Sequence, residues 1–169
     1  MAPEDGEALE RVEAFNEADG GYRRIQAKNP DTIGIAQSDS PAGLAAWVIE
    51  KFRVWSACGG DLESTFTRDA LLTNLMFYWA PNSAASAARI CYESHADEPR
   101  NFGFAKPKVP VVFAHFPGDP FNLPRSWAER NYNVTQWTEM PRGGHFAAME
   151  QPLLLIEDVR KFFRTVRRA

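Results

Sequence analysis

The sequence predicts an α/β chain: a helical first part, then two parallel strands with their flanking helices. Three observations predict it. Apolar residues recur at helical spacing through the first hundred positions. From Val109 to Phe116 the pattern becomes a nearly continuous apolar run, as in strands covered on both faces. Strand and helix patterns then alternate to the end of the chain, the order that builds a parallel sheet.

Composition sets the outer bounds. A chain of 169 residues, 44% hydrophobic and 12% aromatic, has enough apolar surface for a real core. A net charge of -3 and a pI near 5.6 give no electrostatic footprint for nucleic acid. The local basic cluster from Arg160 to Arg168 instead complements the C-terminal end of a helix. Cys58 and Cys91 show neither CxxC nor ligand spacing, which fits a reduced, cytoplasmic compartment. Met1 to Arg11 is acidic and lacks an apolar stretch, so neither a signal peptide nor a membrane segment is expected.

In chain order, Ala8, Val12 and Phe15 place a helix over Pro3 to Ala18, stopped by Gly20-Gly21. Asn29-Pro30-Asp31-Thr32 and Gly34 punctuate a loop. Asp39-Ser40-Pro41 offers an N-cap with proline at the first helical position, and Pro41 to Trp55 is a helix with Leu44, Trp47, Val48, Phe52 and Trp55 on its buried face. Gly59-Gly60 ends it. Thr67 opens a helix through Leu72, Leu75, Met76 and Trp79, Pro81 breaks it, and Ser83 to Glu93 is an Ala-rich helix. After a polar, proline-bearing segment from Asp97 to Lys108 comes the first strand. Pro124 to Arg130 is a short helix and Asn133 to Met140 a second strand. A last helix from Leu153 to Val166 carries Leu154, Ile156, Val159, Phe162 and Phe163 on its apolar positions. The boundary falls near residue 100, with helices over 1–100 and the strand-bearing part over 101–169.

Asp119 follows the first strand and His145 the second, so a parallel pair delivers both to one carboxyl edge, where α/β sheets place their sites. A carboxylate accepting one imidazole N–H fixes the tautomer and leaves the other nitrogen as a general base. The spacing equally fits an aspartate in a turn and a histidine that caps the last helix. Likewise Tyr22 and Tyr92 read, on residues alone, as amphipathic packing positions. His115 reads as a packed or strand-end histidine. No histidine pair has zinc spacing and no Gly-rich loop follows a strand in a phosphate-binding pattern, so neither a metal nor a nucleotide cofactor is expected.

Three motifs in order carry a resemblance. Asp39-Ser40-Pro41-Ala42-Gly43-Leu44-Ala45-Ala46-Trp47, Leu71-Leu72-Thr73-Asn74-Leu75-Met76-Phe77-Tyr78-Trp79 and Gly143-Gly144-His145-Phe146-Ala147-Ala148 resemble the microsomal-type epoxide hydrolases of the α/β-hydrolase fold, from about Phe15 onward. The resemblance implies a partial α/β-hydrolase fold: residues 1–100 as helical cap and connecting helices, 101–169 as the last two core strands. It implies two-step hydrolysis of apolar epoxides to diols through an alkyl-enzyme ester. His145 matches the water-activating base, Asp119 the acid that orients it, and Tyr22 and Tyr92 the two cap tyrosines that donate to the opening oxirane oxygen.

The same resemblance defines what the chain lacks. The family's nucleophile is an aspartate in a Gly-x-Asp-Trp-Gly elbow on a strand-to-helix turn, and no such motif occurs here. Asp61 in Gly59-Gly60-Asp61-Leu62 follows a helix and reads as a helix C-terminal turn. The His-Gly-x-Pro oxyanion segment is absent too. The chain alone is therefore expected to be inactive, its activity awaiting a separate N-terminal half. Two short parallel strands also leave an apolar edge that seeks another chain, either that half or a second copy. The alternatives are a non-catalytic remnant or self-associating binding module, and another α/β-hydrolase activity such as esterase or dehalogenase.

Overall fold

The computed structural model describes residues 3–96 and 106–167. The boundary expected near residue 100 lies outside the described residues. The elements are α1 (Pro3–Asp19), α2 (Gly21–Lys28), α3 (Pro30–Asp39), α4 (Pro41–Trp55), a 3-10 turn (Leu62–Ser64), α5 (Arg68–Trp79), α6 (Ala84–Ala96), β1 (Val111–His115), α7 (Arg125–Asn131), β2 (Val134–Glu139), α8 (Ala147–Glu150) and α9 (Pro152–Val166). They fall into two compact units. One comprises Met1–Glu13, Trp55–Asp61 and Ala105–Ala169, the other Ala14–Val54 and Leu62–Phe104.

The helical unit is organised by caps and small residues. Ser40 Oγ accepts from Gly43 N at 3.0 Å, and Thr67 Oγ1 from Ala70 N at 3.2 Å, so both expected N-caps form. Its core joins Leu44, Leu75 and Ala84, with Val48, Ile49, Tyr78 and Trp79 packed around them. Phe52 meets Phe66 edge-on at 5.3 Å.

One expectation does not hold in the helical unit. The Pro/Gly punctuation from Asn29 to Gly34 is not a loop but the start of α3. Pro30 occupies the first turn, where its missing N–H costs no hydrogen bond. Gly34 lies where α3 meets α6 so closely that a Cβ would stand 2.7 Å from Ala85 Cα. On α5 the buried stripe is Leu71 and Leu75, whereas Leu72 and Met76 are exposed. Apolar residues are spread round the helix, so their periodicity does not select a face.

In the other unit β1 and β2 pair in parallel, with Phe113 opposite Trp137 and His115 opposite Glu139. The first strand is shorter than its apolar run because Pro110 has no N–H for the ladder. Phe113 stacks on Trp137 at 5.3 Å on one face. Asp158 of α9 reaches the other: buried, its Oδ1 accepts from Gln136 Nε2 at 2.9 Å and Thr138 Oγ1 at 2.7 Å. The last helix, α9, lies within one residue of its expected bounds, Leu153 to Val166, and is preceded by the single turn α8. Of its expected apolar positions Phe162 is buried, while Ile156, Val159 and Phe163 are exposed, because that face is wider than two strands can cover.

The Gly34 contact makes a sign prediction. In an open helix Gly→Ala stabilises by about 0.5–1 kcal/mol. Here Gly34→Ala is expected to lower stability by about 1–3 kcal/mol, because the methyl meets backbone on α6. Urea unfolding measures this, and an unchanged or raised midpoint would contradict the packing described.

Candidate active site

The loops after β1 and β2 are stitched together before any side chain acts. Met140 N donates to His115 O at 2.8 Å, and Gly118 N to Gly143 O at 2.9 Å, continuing the parallel pairing beyond the strands. Gly143 has φ of +110°, a conformation L side chains avoid, and a Cβ there would lie 2.7 Å from the Phe116 ring. Gly144 is pressed against the turn after α4, where a Cβ would meet Ala57 N at 2.8 Å and Trp55 O at 2.9 Å. Both glycines are required by close approach.

Glu150 holds this arrangement. Its Oε2 accepts from Gly144 N at 2.8 Å and Ala57 N at 2.9 Å, and its Oε1 from Phe146 N at 2.9 Å. His145 N donates to Trp55 O at 3.0 Å. The backbone on both sides of His145 is thus fixed by charge-assisted bonds to one carboxylate. Sequence reasoning missed this role. The signal was a glutamate four residues after Phe146, the helical reach that lets a carboxylate return to backbone N–H groups.

On that frame His145 and Asp119 come together. His145 Nδ1 lies 3.2 Å from Asp119 Oδ1, which also accepts from Phe121 N at 3.0 Å. A carboxylate can only accept, so Nδ1 carries the proton and Nε2 is the free basic nitrogen. Trp55, Phe121 and Phe146 surround the imidazole edge-on at 5.2, 5.1 and 5.1 Å. The side chain is 34% exposed. Burial disfavours the charged Asp119 carboxyl, but His145 and the Phe121 N–H outweigh it and hold it below its ordinary 3.8.

A second histidine–carboxylate pair lies at the same strand ends. His115, the last residue of β1, places Nδ1 2.5 Å from Glu139 Oε2, while Trp137 Nε1 donates to Glu139 Oε1 at 2.6 Å. The Trp137 N–H, then the His115 contact against a small burial cost, hold Glu139 below the usual carboxylate range. His115, Asp119, Phe121, Trp127, Tyr132 and Trp137 line a cavity of about 360 Å³.

The two tyrosines belong to the helical unit. Tyr22 is half-buried on α2, and Tyr92 is exposed on α6, where it lines a polar recess with Asp31 and Arg89. α2 packs against α6. Asp61 N donates to Cys58 O at 3.1 Å after two glycines with φ of 60° and 89°, so Asp61 stands in a turn following α4 and not on a strand-to-helix elbow.

No family model matches the chain. Individual relatives do. Juvenile hormone epoxide hydrolase 2 of Ctenocephalides felis is 43% identical over 150 residues, which is 83% of this chain and 32% of the relative. Epoxide hydrolase 1 of Oryctolagus cuniculus is 40% identical over 164 residues, 89% of this chain and 35% of the relative. The crystal structure of juvenile hormone epoxide hydrolase from the silkworm Bombyx mori superposes with a TM-score of 0.79 and 32% identity, covering 89% of this chain and 40% of that one. Over the matched residues the chain is similar to epoxide hydrolases.

Its helices and two parallel strands are accordingly part of an α/β-hydrolase fold, as the resemblance implied. The chain spans about a third of the length of these curated epoxide hydrolases, which fits a C-terminal half. Among the described residues no helix is long and apolar enough to cross a membrane.

The Asp119 carboxyl sets a pH test. Because its folded value lies below 3.8, the stability it contributes is complete above that pH and is lost as pH falls through the depressed value. Chemical denaturation should find Asp119→Asn less stable than wild type at neutral pH, with the gap closing in acid. A gap independent of pH would contradict the ionised pair.

Proposed function

We propose that this chain carries the water-activating machinery of an epoxide hydrolase acting on small apolar epoxides, and that a nucleophilic carboxylate comes from polypeptide outside this sequence. The observation that carries the reading is the 3.2 Å Asp119–His145 pairing at the carboxyl edge of parallel strands. Residues 1–100 serve as cap and connecting helices and 101–169 as core. The two cysteines, Cys58 buried and Cys91 half-buried, suit a reduced, cytoplasmic setting.

The chemistry closes without a cofactor. The partner carboxylate attacks an oxirane carbon, the C–O bond breaks, and Tyr22 or Tyr92 donates its phenol proton to the developing alkoxide. His145 Nε2 then takes a proton from water, whose oxygen adds to the ester carbonyl. The acyl–oxygen bond breaks, freeing the diol and regenerating the carboxylate. Water's two protons end on the second diol oxygen and, through solvent, on the phenolate. Asp119 stabilises the imidazolium in between. Two phenol donors suit an oxygen leaving group, whereas the halide released in dehalogenase chemistry needs no proton.

A second reading has its own observation. Val109, Leu153 and Phe163 are 64%, 75% and 52% exposed, apolar surface that suits a non-catalytic module pairing with a missing half or a second copy.

Co-production with the nucleophile-bearing N-terminal part of a relative separates the two. The enzyme reading expects diol formation, reduced about 10²–10⁴-fold by His145→Gln with accumulation of the covalent ester. Complex formation without diol, and unaffected by Tyr22→Phe, Tyr92→Phe or His145→Ala, would favour the binding module.

A further inference from the structure

The helical unit contains a lysine whose surroundings are unlike those of a surface lysine. The Lys51 side chain is only 14% exposed, and its Nζ lies 2.5 Å from Asp19 Oδ1 and 2.7 Å from Glu50 Oε2. The Asp19 side chain is 13% exposed. Lysine is seldom buried unless it is paired. A mainly helical unit does not need such a cluster for stability, since a buried ion pair often does no better than packed apolar residues. Its position suggests another use. The ammonium stands 4.8 Å from the centre of the Tyr22 ring, within the range of a cation–π contact.

Three elements meet there. Asp19 is the last residue of α1, Tyr22 is on the first turn of α2, and Lys51 is on α4. Gly20 separates Asp19 from α2, so the carboxylate that clamps Lys51 is three residues from the phenol. Burial works against the charge on Lys51, but the bonds to Asp19 and Glu50 more than offset it and keep it a cation.

We propose that Lys51 is a positioning residue for Tyr22, its ammonium seated over the phenol ring and clamped there by Asp19 and Glu50. The proposal rests on reading Tyr22 as a donor to the opening oxirane. A fixed cation on the ring face restricts the ring and stabilises the phenolate left when the proton departs. Burial, then Cys91 of α6 and Asp19 of α1, push the phenol above its ordinary 10.0; Lys51 of α4 and Arg23 of α2 act in the opposite sense. Lys51 is thus a half-buried cation that opposes the surroundings of Tyr22.

The experiment is an absorbance titration of the phenolate. The chain holds four tyrosines, so the curve of each protein minus that of its Tyr22→Phe counterpart isolates Tyr22. Lys51→Met is expected to shift the Tyr22 midpoint upward and Lys51→Arg to restore it. Because Lys51→Met leaves the half-buried Asp19 without its cation, the same comparison is made in an Asp19→Asn background, where the double variant is read against Asp19→Asn alone. A lysine that only fastens α1 to α4 would lower thermal stability in Lys51→Met and leave the midpoint in place in both backgrounds, and that result overturns the proposal. If the midpoint moves but Tyr22→Phe does not slow diol formation in the complemented protein, the positioning role stands and the catalytic reading of Tyr22 falls.

Discussion

The Glu150 carboxylate is the interaction on which the histidine loop depends. It collects three backbone N–H groups from two stretches far apart in sequence, Ala57 after α4 and Gly144 and Phe146 on either side of His145. Each is a charge-assisted bond to a group that would otherwise seek water. Only glycine tolerates the approach this clamp enforces, since a Cβ at residue 144 would stand 2.8 Å from Ala57 N. The loop is thus defined by backbone bonds before the imidazole finds Asp119.

The parallel pairing supplies the other half of the geometry. Because β1 and β2 run the same way, their following loops leave one edge, and the Gly118–Gly143 bond keeps those loops at ladder spacing beyond the strands. Asp119 and His145, 26 residues apart, therefore meet at the edge where a parallel sheet places chemistry. The aromatic rings of Trp55, Phe121 and Phe146 limit water around the imidazole while leaving the side chain partly open. In such surroundings the Asp119 carboxylate keeps its charge because His145 and the Phe121 N–H both stabilise it.

Much of this was legible in the residues, for reasons that differ by element. The helix from Pro41 to Trp55 is found at its expected bounds because Ser40 caps it and Pro41 occupies its first turn. The strands were marked by β-branched and aromatic runs, and the Asp119–His145 meeting followed from their parallel order. Pro30 and Gly34 misled because punctuation and close helix packing use the same residues; only the position of Ala85 separates them. The buried face of α5 was not legible because Leu71, Leu72, Leu75 and Met76 offer two equivalent stripes. Lys51 and Glu139 escaped notice because Asp19 and His115, which they meet, lie far off in sequence, and the same holds for the Glu150 bond to Ala57, although its bonds to Gly144 and Phe146 are local.

The Glu150 clamp presents His145 with its Nδ1 proton toward Asp119, leaving Nε2 available as a base. Nitrogen-15 NMR of the neutral imidazole reads the tautomer directly. The Nδ1–H form is expected in the wild-type chain and a mixture of tautomers in Glu150→Gln. An Nε2–H form in the wild type, or the same spectrum in both proteins, would contradict it.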